Sequence, residues 1–300
     1  MTPTIGIGSL ETNSQIRRDE TIARRQKLMA QETILTLNKL KYLKWSIALI
    51  VICVTLYMAD TPPDRPHGGT PLGYTLGTIG ALLIIWLMLF GMRKRAYHSN
   101  LGSVRGWLSA HVYLGLSLGV VATLHTGFQF GWNIHTLSYA LTILVIVSGL
   151  WGVVLYLRHP ALMSNLLNGK TLQEHGKVLR DLDMQCIKLA KSHPAEIQAL
   201  VTASAQTAMF SSSWRRFTGK EPDCATSIAV KILEQKNNET EANLREIYTL
   251  QFRRLRQLAM IRQYVKIKSW TQIWLFFHVP LSFALLAALI AHIVSVFFYW

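Results

Sequence analysis

Residues 111–125 read HVYLGLSLGVVATLH, an apolar stretch closed at each end by a histidine. Residues 278–292, HVPLSFALLAALIAH, have the same length and the same two ends. At about 100° and 1.5 Å per residue, fourteen helical steps return a side chain to within roughly 40° of its starting face, about 21 Å away. That distance covers most of a hydrocarbon core about 30 Å thick. Each stretch therefore predicts a membrane helix with two imidazoles on one face, one near each leaflet.

The composition fits a membrane setting. Half of the 300 residues are hydrophobic and only 16% are charged, against about a quarter in soluble domains. Apolar blocks fall at roughly Lys44–Ala59, Leu72–Met92, Trp107–Phe128, Leu137–Leu157 and Trp270–Trp300. A span needs about 17–25 residues, so four blocks qualify by length and the first is short. Charge decides in favour of the first. With five spans and an inside N-terminus, 30 of the 31 Lys and Arg share one side, and only Arg65 falls on the other. The positive-inside rule predicts that asymmetry. The net charge of +15 is then topology, and it calls for no nucleic-acid partner.

The predicted fold is an all-α, five-span bundle with a helical insert. Residues 1–44 form a basic cytoplasmic arm, read either as an amphipathic helix on the inner leaflet or as a solvated tail. Residues 45–157 hold spans one to four, 158–268 the cytoplasmic insert, and 269–300 the fifth span. No cleavable signal peptide is expected, because 44 residues precede the first apolar block. The expected location is a bacterial cytoplasmic membrane, with the C-terminus periplasmic.

The insert reads helical. TLQEHGKVLRDLDMQCIKLAKS and AEIQALVTASAQTAMF carry apolar residues at three-and-four spacing. Ser192 is the expected helix start with Pro194 in the first turn, and SSSWRRFTGKEPDCAT breaks the pattern. A last helix from about Glu239 is expected to run straight into the fifth span. No dinucleotide fingerprint, P-loop or EF-hand loop occurs. Cys53, Cys186 and Cys224 form neither CxxC nor CxxCH, so covalent haem attachment is not indicated.

The third and fifth spans run in the same direction, which sets His111 opposite His278 on the inner side and His125 opposite His292 on the outer side. One histidine alone in a span reads most simply as a hydrogen-bonding residue between helices. Two spans with the same pair at the same spacing, and no central histidine in the other three, point to function. Zinc usually wants four donors, whereas an iron porphyrin supplies four nitrogens of its own and leaves two axial positions. The histidines therefore predict two haems with the axial pairs His111/His278 and His125/His292. Gly115 and Ser282 lie four residues after the inner histidines, and Gly119 one turn further, small enough for a flat ring or a neighbouring helix to approach.

Around this centre the readings are weaker. Arg105, Lys266 and Lys268 lie inside of the inner histidines, as haem-propionate partners or as ordinary positive-inside anchors. Trp107, Trp270 and Trp274, with Trp132 and Trp300 at the other end, read as interfacial belts. Pro280 removes a backbone donor two residues after His278, which either bends the helix or is tolerated. His67, His98, His135, His159, His175 and His193 read as solvated loop or surface residues, the alternative for His67 or His135 being approach to an outer acceptor.

The four histidines on spans three and five, the inside N-terminus and the inner loop between spans four and five resemble the ferric-reductase-like transmembrane cytochrome b superfamily. That group includes ferric reductases and the membrane core of NADPH oxidases. The resemblance covers roughly residues 45–157 and 270–300. It implies that His111, His125, His278 and His292 ligate two b-type haems. Family members commonly have a sixth span, and the oxidases carry a flavin and nicotinamide domain; this chain shows neither. Electrons are thus expected to come from and go to other molecules. The expected role is an electron carrier in a redox complex, with a quinone, a multihaem cytochrome, an iron–sulfur protein or a flavoprotein as partner. The alternatives are the membrane core of an iron, oxygen or quinone reductase served by a separate flavoprotein, and a haem-free scaffold or transporter using histidines for packing or proton relay.

Overall fold

The computed structural model describes residues 35–62, 65–96, 100–236 and 242–298. Residues 1–34 of the N-terminal arm, His98, the predicted helix start at Glu239 and Trp300 lie outside these. Among the described residues the chain forms nine helices and no strand. They are α1 (Leu37–Ala59), α2 (Pro71–Arg95), α3 (Val104–Thr126), α4 (Ile134–Leu167), α5 (Leu172–Ala190), α6 (Ala195–Ala205), α7 (Arg215–Thr218), α8 (Ala225–Lys236) and α9 (Ala242–Phe298). Five helices are long and apolar enough to cross a membrane. The chain is an all-α integral membrane protein.

The first span is longer than its apolar block suggests. Its helix begins at Leu37, upstream of Lys44, so part of the basic approach to the membrane is itself helical. Ile47, Val51, Leu82, Leu144, Val147 and Phe283 are exposed. Large apolar side chains left uncovered along several helices fit contact with lipid tails rather than water.

Two compact units divide the chain. The first runs up to Leu150 and resumes at Val279; the second is Trp151–His278. In the first unit, Cys53, Leu76, Val121 and Leu124 form one core cluster, and Ile84, Leu118 and Leu285 another. Polar pairs fix the helix register. Ser46 on α1 donates to the Tyr113 carbonyl on α3 at 2.9 Å. Ser138 on α4 donates to the Ala288 carbonyl on α9 at 3.1 Å. The helix ends follow local rules. Thr70 and Ser103 cap α2 and α3 by accepting from Gly73 and Gly106, and Pro71 opens α2. Gly127 ends α3 at φ 56°, where a Cβ would strike the Pro66 carbonyl.

The second unit packs Cys186, Ala190, Ile197, Val201, Leu233, Leu244, Ile247 and Leu250 into a core. A capping box between Thr171 and Glu174 starts α5, and these backbone and side-chain bonds hold the Glu174 carboxyl below its usual range. Arg254, almost fully buried, meets Asp183 at 2.5 Å and also binds Thr226. Such an ion pair is costly to break, because one charge would be left buried alone.

Several expectations for the insert need correction. Helix α6 starts after Pro194 without a side-chain cap, and the Ser192 hydroxyl turns back to the Leu189 carbonyl. Helix α8 is an addition. His175 is buried, accepting from Gln257 at Nδ1 and donating from Nε2 to Leu167 at 3.0 Å, so it is a core residue rather than a surface one. Trp274 fills the space where a side chain on Gly152 would sit, a packing role beyond that of an interfacial belt. Helix α9 is continuous across 57 residues and passes through Pro280 without a break, which joins the last insert helix to the fifth span.

Candidate histidine site

Helices α2 and α3 run antiparallel, so the start of α2 lies beside the end of α3. There the His125 Nδ1–H donates to the Gly73 carbonyl at 2.8 Å. A backbone carbonyl can only accept, so the proton sits on Nδ1 and the Nε2 lone pair is left to bind a metal. Glycines make room for the ring. A Cβ at Gly77 would come within 2.8 Å of His125 Cε1, and one at Gly68 within 3.1 Å.

His292, near the end of α9, faces His125. Their ring centres are 5.9 Å apart and their planes lie at 78°. A metal bonded to one nitrogen of each ring at about 2 Å would hold the ring centres about 6 Å apart. The two rings border a cavity of about 720 Å³ whose walls include Gly68, Gly77, Gly80, Leu118 and Leu285. Cofactor sites are mostly apolar clefts of roughly 300–1,000 Å³. Among the described residues no group of three or more His, Cys, Asp or Glu could hold a metal ion. Two imidazoles alone suit a metal that brings its remaining donors with it.

Sequence reasoning placed His135 in a loop. It stands instead in the first turn of α4, with its Nδ1 2.7 Å from Nδ1 of His292 and the ring centres 4.6 Å apart. Asn133 explains the placement: its Oδ1 accepts from the Thr136 backbone N–H at 3.0 Å, a helix cap that starts α4 one residue before His135. The Asn–x–x–Thr spacing before an apolar run was the available signal. His67 also lines the cavity, and its Nδ1 accepts from Gly69 N–H at 2.9 Å.

The inner histidines fall in separate units. In the first, His111 Nδ1–H donates to the Leu87 carbonyl at 3.1 Å and its ring lies 5.1 Å from Phe90. This is the tautomer found at His125, reached with the same kind of partner. In the second, Trp274 stacks on His278 with ring centres 5.4 Å apart. A Cβ on Gly115 would meet open space, whereas one on Gly119 would press on Ile146. Gly119 therefore serves helix contact. Ser282 is half-buried and Arg105 exposed.

No family model, curated protein or solved structure matches this chain.

Proposed function

We propose that this protein is a dihaem b-type cytochrome that carries electrons across a membrane as one subunit of a redox complex. The observation that carries the reading is the facing pair His125 and His292, with ring centres 5.9 Å apart beside a cavity of about 720 Å³. His111, whose tautomer matches that of His125, and His278 form the second pair. When bound, haem supplies an iron that accepts and releases one electron at a time.

The protein's part is to hold and insulate. The Gly73 and Leu87 carbonyls fix ring orientation and raise ligand basicity, as outer-shell partners of metal-bound histidine generally do. Leu118, Leu285 and the α2 glycines give the cavity apolar walls, which keep water from the site. Donor and acceptor are a quinone on one side and a redox protein on the other: a multihaem cytochrome, an iron–sulfur protein or a flavoprotein. The membrane is a bacterial cytoplasmic membrane with the basic segments inside.

A second reading, a haem-free proton relay, draws on the contact between His135 and His292, since hydrogen-bonded imidazoles also pass protons. A pyridine haemochrome assay on purified protein separates the two. Two b-type haems per chain support the cytochrome; none leaves the relay. Reduction of both haems by quinol, in protein free of flavin, would then identify the donor.

A further inference from the structure

His135 belongs to neither predicted ligand pair, yet it lies closer to His292 than His125 does. The ring centres are 4.6 Å apart against 5.9 Å. Its contact runs from Nδ1 to Nδ1 at 2.7 Å, and one proton must sit between the two nitrogens. If His135 donates that proton, His292 accepts at Nδ1, carries its own proton on Nε2 and cannot bind a metal there. If His292 donates, His135 accepts and the His292 Nε2 lone pair is available. The carbonyls of Gly73 and Leu87 leave no such choice at His125 and His111. His292 alone among these three depends on another side chain to set its tautomer.

We propose that His135 is the positioning residue of the outer site: it accepts the Nδ1 proton of His292 and so fixes the ring and the ligating nitrogen. The surroundings hold both partners in place. Asn133 caps the turn that carries His135. Ser138, three residues on, donates to the Ala288 carbonyl, one turn before His292. The Ser138 bond thus ties α4 to α9 beside the imidazole pair. The ring planes stand 86° apart, a rotation that the Nδ1-to-Nδ1 bond permits.

The chemistry predicts a direction. Donation from Nδ1 gives the ligand more imidazolate character, which favours ferric over ferrous iron and lowers the potential. Removing the acceptor should weaken that preference by about tenfold, the lower end of outer-shell effects, and raise the outer midpoint potential by about 59 mV.

This inference rests on the cytochrome reading, and the test separates the two. Wild type, His135→Phe and His135→Asn are purified, their haems counted, and their midpoint potentials and low-spin EPR spectra measured. Phenylalanine keeps a ring without an acceptor; asparagine restores an acceptor oxygen. The expected result is one midpoint potential raised and one EPR signal shifted in His135→Phe, both moved back toward wild type in His135→Asn. Loss of one haem in His135→Phe that is regained in His135→Asn supports the same role. Unchanged potentials in His135→Phe, or equal changes in both variants, would overturn it. So would a His292→Ala protein that keeps both haems, because His135 would then be the ligand. Wild type without haem fails the cytochrome reading itself.

Discussion

The imidazoles of His125 and His292, 167 positions apart in the chain, face each other with ring centres separated by 5.9 Å. One comes from the end of α3 and the other from near the end of α9, and each has its Nδ1 engaged by a neighbour. If both ligate one iron, neither can be spared. Changing either residue to Ala should lower the haem count from two per chain to one, while the corresponding change at His111 or His278 removes the other haem. Pyridine haemochrome titration reads this directly. Equal loss of both haems from every variant would argue against independent sites.

Gly77 gives a test that leaves all four histidines in place. An Ala Cβ there would stand 2.8 Å from His125 Cε1, too close to be tolerated without displacing the ring. The displacement would break the bond to Gly73 and cost about 10- to 100-fold in haem affinity. Gly91→Ala, on the same helix, meets open space and should bind haem as wild type does. A Gly77→Ala protein that retains both haems through gel filtration at low concentration would contradict the crowded site.

The spans and the facing of His125 and His292 were legible in the sequence because both rest on one-dimensional regularities. Hydropathy shows length, and a fourteen-residue interval shows face. What could not be read depends on contacts between distant segments. His135 looked like a loop residue because its role needs α9 beside the first turn of α4. His175 looked exposed because Gln257 lies 82 positions away. That Gly68 and Gly77 leave room for one imidazole appears only with α3 in place. Helix α8 escaped because its apolar face is short, and it packs through Leu233.

Cys186 should make stability depend on alkaline pH. Burial, reinforced by Asp183, pushes its thiol up to about 11, whereas an unfolded cysteine ionises near about 8.5. The folded state holds the proton longer. Stability is therefore full below the unfolded value and falls as pH rises from there toward 11, by about 1.4 kcal/mol for each unit between the two pKa values at most. Thermal unfolding in detergent from pH 8 to 11 should show a shallower decline in Cys186→Ala than in wild type. Parallel curves would mean that the thiol contributes nothing to the pH dependence.

The placement of charge predicts the orientation. Thirty of 31 Lys and Arg share one side in a five-span topology, and the positive-inside rule puts that side, with the segment between α4 and α9, inside and the connection between α1 and α2 outside. Cys53, Cys186 and Cys224 are all buried, so they add little background to labelling from water. A cysteine placed at the exposed Thr61, just after α1, should react with an impermeant maleimide on intact cells. One placed at the exposed Ser192, between α5 and α6, should react only after the membrane is opened. The reverse pattern would exchange the two sides, turning the His125 and His292 pair toward the cytoplasm.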